Sequence, residues 1–177
     1  MHPTSVFRTA LNYGAINGLA TFAFFLLLHY SGHFPLGPLS WTGIWIPIIA
    51  MVLSTKEVRN LNNGSISYWT AWRTGFLTVA CGAFLFALLV YIFGMTIEVS
   101  FLDQYKSINA GIIEQGKEMG GGELLGEAMY EKALNDLDKM TLETLSFQEF
   151  FGKSFGGMFL AFITAAFLKR KQPDANF

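Results

Sequence analysis

Asn63–Ile97, NGSISYWTAWRTGFLTVACGAFLFALLVYIFGMTI, decides the fold, because a turn, a helix cap, a basic anchor and a long uncharged run follow one another in it. Asn63-Gly64 is a turn signal, Ser67 is placed to cap the backbone N–H groups that follow it, and Arg73 sits one turn inside. From Thr74 to Ile97 no residue is charged. About 20 apolar residues at helical rise cross a bilayer core about 30 Å thick, so this stretch reads as a transmembrane helix.

The rest of the chain has the composition of a protein whose solvent is lipid. Charged residues make up 14% of the 177 residues, little more than half of what a soluble domain carries, and there are 18 phenylalanines. The net charge of -1 hides two opposed regions. Residues 98–149 hold 11 of the 13 acids with four lysines, giving -7, and the remainder carries +6. Cys81, the single cysteine, falls within the central span and excludes an internal disulfide.

Working outward, Ala10–Tyr30 is a first span, retained because no small-residue cleavage pattern follows it. Its Gly14, Asn17, Gly18 and Thr21 recur at helical spacing and give a face for contact with protein. SGHFPLGPLS at 31–40 is a tight external loop. A short second span over 40–55 opens with tryptophans and carries Pro47, which predicts a kink, and Lys56, Glu57 and Arg59 read as the polar loop after it. The central span, 69–97, repeats small residues at Ala71, Gly75, Thr78 and Gly82.

Beyond it, Ile97, Phe101, Tyr105, Ile108 and Ile112 recur every three or four residues and predict a continuation of the central helix as an amphipathic stalk. Gly120-Gly121-Gly122 ends the stalk, and Leu125, Met129, Ala133, Leu137 and Met140 form a second stripe running back. Ser146-Phe-Gln-Glu149 has the capping-box pattern and places the start of a fourth span, 147–168, near Phe147. Glu149 then lies at its outer end, with Lys153 near its start able to snorkel. Gly157, Ala161, Thr164 and Ala165 give this span its own small face, and Lys169, Arg170 and Lys171 stop it. The expected fold is all-α: an integral membrane protein forming one domain over 1–177, with four transmembrane helices and an extracytoplasmic amphipathic helical hairpin, 98–146, between helices 3 and 4.

Orientation follows from the cations. With both termini cytoplasmic, Arg8, Lys56, Arg59, Arg73, Lys169, Arg170 and Lys171 all lie inside, as a multi-pass protein of the cell inner membrane requires.

Four spans, a long polar insert before the fourth, and Asn63-Gly64-Ser65-Ile66-Ser67-Tyr68 leading through Ala71, Arg73 and Gly75 resemble a bacterial membrane-protein family, domain of unknown function 4199. The lysine-rich end after the last span belongs to the same pattern. The resemblance implies the architecture and adds no activity, cofactor or catalytic residue.

The chemistry-bearing residues are few. His29 and His33 stand i, i+4 at the outer end of the first span, a spacing that would suit two metal ligands on a helix, but no third ligand can be named and an interfacial role is preferred. Gly120-Gly121-Gly122 lacks the Lys-Ser/Thr of a phosphate loop and reads as a hinge. No Ser/His/Asp or Cys/His set is present, no cofactor is expected, and the cations are too few for nucleic acid. Gly14 and Gly18, like Gly152 and Gly156, match the small-residue packing motif and would serve either within the chain or between two copies.

Two functional readings remain. One is a non-catalytic subunit or scaffold that contacts a protein partner, or a second copy, through the acidic external hairpin. Phe101, Tyr105, Ile112, Met129 and Met140 would form that surface, exceeding what a thin hairpin hides from water. The alternative is a small transporter or channel with a polar path along Asn12, Asn17, Thr21 and Thr78.

Overall fold

The computed structural model describes residues 3–121 and 126–170. Among them are six α-helices: α1 (Pro3–Tyr30), α2 (Trp45–Leu61), α3 (Tyr68–Thr96), α4 (Phe101–Gly116), α5 (Glu127–Asp138) and α6 (Leu142–Leu168). A 3-10 helix, Pro38–Ile44, runs directly into α2, and a π turn, Lys117–Gly121, follows α4. Among the described residues, four segments are long and apolar enough to cross a membrane: Val6–Tyr30, Pro38–Leu61, Tyr68–Thr96 and Leu142–Leu168. The protein is an all-α protein of the membrane-spanning type. The chain divides into two compact units, Met1–Leu89 with Gln148–Phe177, and Val90–Phe147.

In the first unit the entry to α3 forms as its residues dictate. Asn63 and Gly64 both take positive φ, which the Asn-Gly pair tolerates, and the Ser67 hydroxyl accepts the Thr70 N–H at 3.2 Å to cap the helix. A feature outside the reach of periodicity joins this turn to the end of α6. Ile66 and Arg170 exchange both backbone hydrogen bonds, each 2.9 Å, in an isolated antiparallel bridge. Ile66 is buried with Val58, Ala71 and Ala165, and Val6, Tyr68 and Trp72 pack around them. Lys171 and the tail after it lie outside the described residues.

Pro47 meets no continuous α-helix on its N-terminal side. It lies in the first turn of α2, where its N–H would have no helical partner, and the chain reaches it through the 3-10 helix. Lys56, Glu57 and Arg59 are in the last turns of α2 and not in a loop, since nothing in WIPIIAMVLSTKEVRNL breaks a helix after Pro47.

The small residues set the helix spacing. A Cβ added to Gly14 would stand 2.7 Å from the Cys81 Cβ and 2.9 Å from the Thr78 carbonyl oxygen, and one added to Gly18 would stand 2.8 Å from the Gly82 carbonyl oxygen. A Cβ on Gly82 would overlap Asn17, and one on Gly157 would overlap Val79. Gly14 and Gly18 are therefore consumed by contact between α1 and α3 and are not free to pair two chains. Gly75 lies against Met51 and Ala161, which are fully buried with Val79 in a second cluster. Beside it Thr78 donates to Ser54 Oγ at 2.9 Å and Ser54 donates to the Met51 carbonyl at 3.0 Å, a buried polar link between α3 and α2.

In the second unit, α4 does not continue α3. The helix stops at Thr96, Ile97 and Glu98 both bond back to the Phe93 carbonyl, and the chain turns before Phe101. The apolar period persists through this turn because Phe101 folds onto Phe93, edge to face at a centroid distance of 5.8 Å. Leu142 packs on Gly94, where a Cβ would meet its Cδ1 at 2.8 Å. α4 and α5 run antiparallel: Lys106 donates to the Asp138 carbonyl at 2.6 Å, and Lys117 pairs with Glu127 at 2.9 Å. Hydrogen bonding to Glu127 and its charge hold Lys117 above the usual lysine range and Glu127 below the usual carboxylate range, on an open surface where such a pair stabilises little. Gly122 and Leu125, read as hinge and stripe, lie outside the described residues.

α6 begins at Leu142, not near Phe147. Thr141 is the cap, its hydroxyl accepting the Thr144 N–H at 3.3 Å, and Ser146 is buried inside the first turns with no partner for its hydroxyl.

Two glycine substitutions separate spacing from propensity. Gly18→Val forces a side chain against the α3 backbone and is expected to destabilise by about 2–3 kcal/mol in detergent unfolding. Gly111→Ala, where a Cβ meets nothing within 4 Å, is expected to stabilise α4 by about 0.5–1 kcal/mol.

Candidate functional site

The first unit holds a cavity of about 320 Å³ bounded by all four long helical segments. α1 contributes Asn17, Thr21, Phe24 and Phe25, and α3 contributes Val79, Gly82, Ala83 and Phe86. Pro35, Ser40, Trp41, Gly43 and Ile44 come from the connection into α2, Pro47 from its first turn, and Gln148, Glu149, Gly152, Lys153, Gly156, Gly157 and Leu160 from α6.

The cavity exists because α6 has no side chains where it would otherwise close it. A Cβ at Gly152 or at Gly156 would meet nothing within 4 Å, so this pair makes no close helix contact and leaves space instead. Gly43 is different: a Cβ there would press on the Phe24 ring at 2.7 Å, which keeps the 3-10 helix tight against α1.

Its polar groups sit at two levels. Lys153 Nζ is 3.1 Å from Glu149 Oε2 and 4.6 Å from the centroid of the Phe86 ring. The side chains of Lys153 and Glu149 are 33% and 19% exposed, so the pair is half sheltered and the lysine gains from the ring face. With α6 starting at Leu142, Glu149 lies two turns inside the helix and not at its outer end. Four residues from Phe86 toward the start of α3 is Gly82, against which Asn17 packs. Asn17 is 4% exposed, and its Oδ1 has no hydrogen-bond donor. An enclosed acceptor of this kind is costly unless something donates to it.

The other sequence candidates are placed as follows. Ala71, Gly75, Thr78, Gly157 and Ala161 are interior packing positions of the first unit. Of the four residues proposed for a polar path, Asn17 and Thr21 line the cavity, Asn12 is exposed, and Thr78 is fully buried with its hydroxyl proton given to Ser54. They do not line one path. His29 is at the end of α1 with its ring edge-on to Tyr30, and Gly32 at φ +78 ends the helix before His33, so the two imidazoles do not share a helix face. No group of three metal-ligating residues is found among the described residues. In the second unit Phe101 and Tyr105 are buried, because the turn after α3 folds them inward, and Met140, in the connection from α5 to α6, is half-buried. Ile112 and Met129 are 48% and 57% exposed, and Ile108 and Met119 are exposed beside them.

Among known families, one model, protein of unknown function (DUF4199), matches residues 12–170. The chain belongs to that family. The match runs from the first span through the insert to Arg170, so it includes the whole cavity lining and both ends of the Ile66–Arg170 bridge. No curated protein and no solved structure matches the chain significantly. This DUF4199 protein is thus a membrane-type helical protein whose site is described by its own residues alone.

Glu149 and Lys153 are the functional candidates that sequence reading underrated. The signal was present: two opposite charges one helical turn apart inside an apolar run stabilise each other and are expensive there unless paired. A double-mutant cycle with Glu149→Gln and Lys153→Gln is expected to give a coupling of about 1–2 kcal/mol in unfolding, above the few tenths of a fully exposed pair.

Proposed function

We propose that this protein is a non-catalytic subunit of the cell inner membrane, both termini cytoplasmic, that meets a partner protein with a cationic face through the acidic pair α4–α5. The orientation rests on where the cations gather. Arg8, Lys56, Arg59, Arg73, Lys169 and Arg170 all lie within about a turn or two of the cluster Val58, Ile66, Ala71 and Ala165. One end of the first unit therefore carries the positive charge that favours the cytoplasmic side.

The observation that carries the partner reading is the division of apolar residues in the second unit. Phe101, Tyr105, Leu137 and Leu145 are buried and supply its interior, yet Ile108, Ile112, Met119 and Met129 stay exposed among the acids of a segment with net charge -7 over 98–149. Exposed apolar positions ringed by one sign of charge suit contact with an oppositely charged protein surface, and they disfavour anionic lipid.

A photo-cross-linking residue placed at Ile112 or Met129 in cells is expected to capture one discrete partner, with yield falling at high salt, whereas placement at Tyr105 gives none. No adduct from either exposed position in a correctly inserted protein would count against the reading. The orientation is checked with Cys81→Ala carrying a cysteine at Gly111 or at Asn62. An impermeant maleimide outside cells that lack any outer barrier should label the first and spare the second, and the reverse pattern would refute it.

A further inference from the structure

We propose that the cavity of the first unit is a lipid site for a single-chain zwitterionic phospholipid with a free glycerol hydroxyl, taken in sideways from the bilayer. This goes beyond the partner reading and does not depend on it, since α4 and α5 contribute nothing to the lining.

The mouth gives the direction of entry. Trp41 and Ile44 on one side and Gly152 and Gly156 on the other are exposed lining residues, and the α6 surface beside them presents exposed Phe155 and Phe159. Such a surface on membrane-spanning helices meets acyl chains, so what enters is already dissolved in the membrane. The volume of about 320 Å³ is at the bottom of the range for ligand cavities, which favours one chain over two. Phe24, Phe25, Val79, Ala83 and Leu160 offer that chain an apolar wall.

The polar groups specify the head. Glu149 and Lys153 together carry no net charge, so a purely anionic or purely cationic ligand attracted by one is repelled by the other. A zwitterion satisfies both, its phosphate on the Lys153 ammonium and its own ammonium on the Glu149 carboxylate. Four residues of α3 separate Phe86, under Lys153, from Gly82, beside Asn17, a rise of about 6 Å. At that depth the enclosed Asn17 Oδ1 lacks a donor. A glycerol hydroxyl adjoining the phosphate lies deeper than the headgroup charges and supplies one, whereas a diacyl lipid has that oxygen esterified.

The test uses the full-length protein in detergent micelles with radiolabelled lysophosphatidylethanolamine as probe. The expected result is saturable binding of one molecule per chain, at least tenfold weaker binding of diacyl phosphatidylethanolamine and of anionic lysophosphatidylglycerol, and no displacement by soluble phosphoethanolamine. Asn17→Leu and Lys153→Gln should each weaken binding about tenfold. Gly156→Leu, which puts a side chain into the open space without touching backbone, should abolish it while leaving the unfolding midpoint unchanged, and it keeps the test decisive if Asn17→Leu does not fold. Non-saturable uptake, equal binding of the one-chain and two-chain lipids, displacement by phosphoethanolamine, or parent-like binding by Gly156→Leu would each overturn the proposal.

Discussion

Where Gly14 and Gly18 of α1 meet Gly82 of α3, no side chain separates the two backbones, and much of the first unit follows from that contact. Lipid tails are as apolar as leucine, so spans are not driven together by the hydrophobic effect and rely on close van der Waals approach and on polar links. The glycines supply the first and Ser54–Thr78 supplies the second. Because Asn17 lies between Gly14 and Gly18 along α1, holding α1 against α3 also holds Asn17 at Gly82 and sets the depth of the cavity's inner polar group.

The same logic explains the opposite use of glycine in α6. Gly157 admits Val79 of α3 and brings the helices together, whereas Gly152 and Gly156 face open space and leave a gap. A stripe of small residues is thus split between contact and vacancy within two turns. The charged pair Glu149–Lys153 stands at the edge of that gap, half sheltered, each side chain compensating the other where a single charge would be costly.

The first and third spans were legible because an uncharged run of about 20 residues has few alternatives to a membrane helix, and Ser67 capped α3 as its position implied. Helix ends were less legible. Ser146 and Thr141 both precede plausible starts, and the choice fell to Thr141 because helical sequence without a breaker extends back to it. Periodicity carried Ile97 to Ile112 across a turn, since a three-to-four spacing is blind to a change of direction at Glu98–Ser100. It likewise could not say which part of the stripe is interior, Phe101 and Tyr105, and which is exposed, Ile112 and Met129. The cavity was hidden for a simpler reason: it is made by side chains that are missing, and by a loop whose prolines predict only a turn.

The close contact of α1 with α3 inside one chain is tested most directly by oxidising Gly14→Cys, which sets a thiol beside native Cys81. The Cβ positions are 2.7 Å apart, so the helices must part by about an ångström to reach ordinary disulfide geometry. The account predicts a cross-linked monomer on non-reducing gels, independent of protein concentration. A covalent dimer that grows with concentration, with no intramolecular product, would show that this face joins two chains and would contradict it.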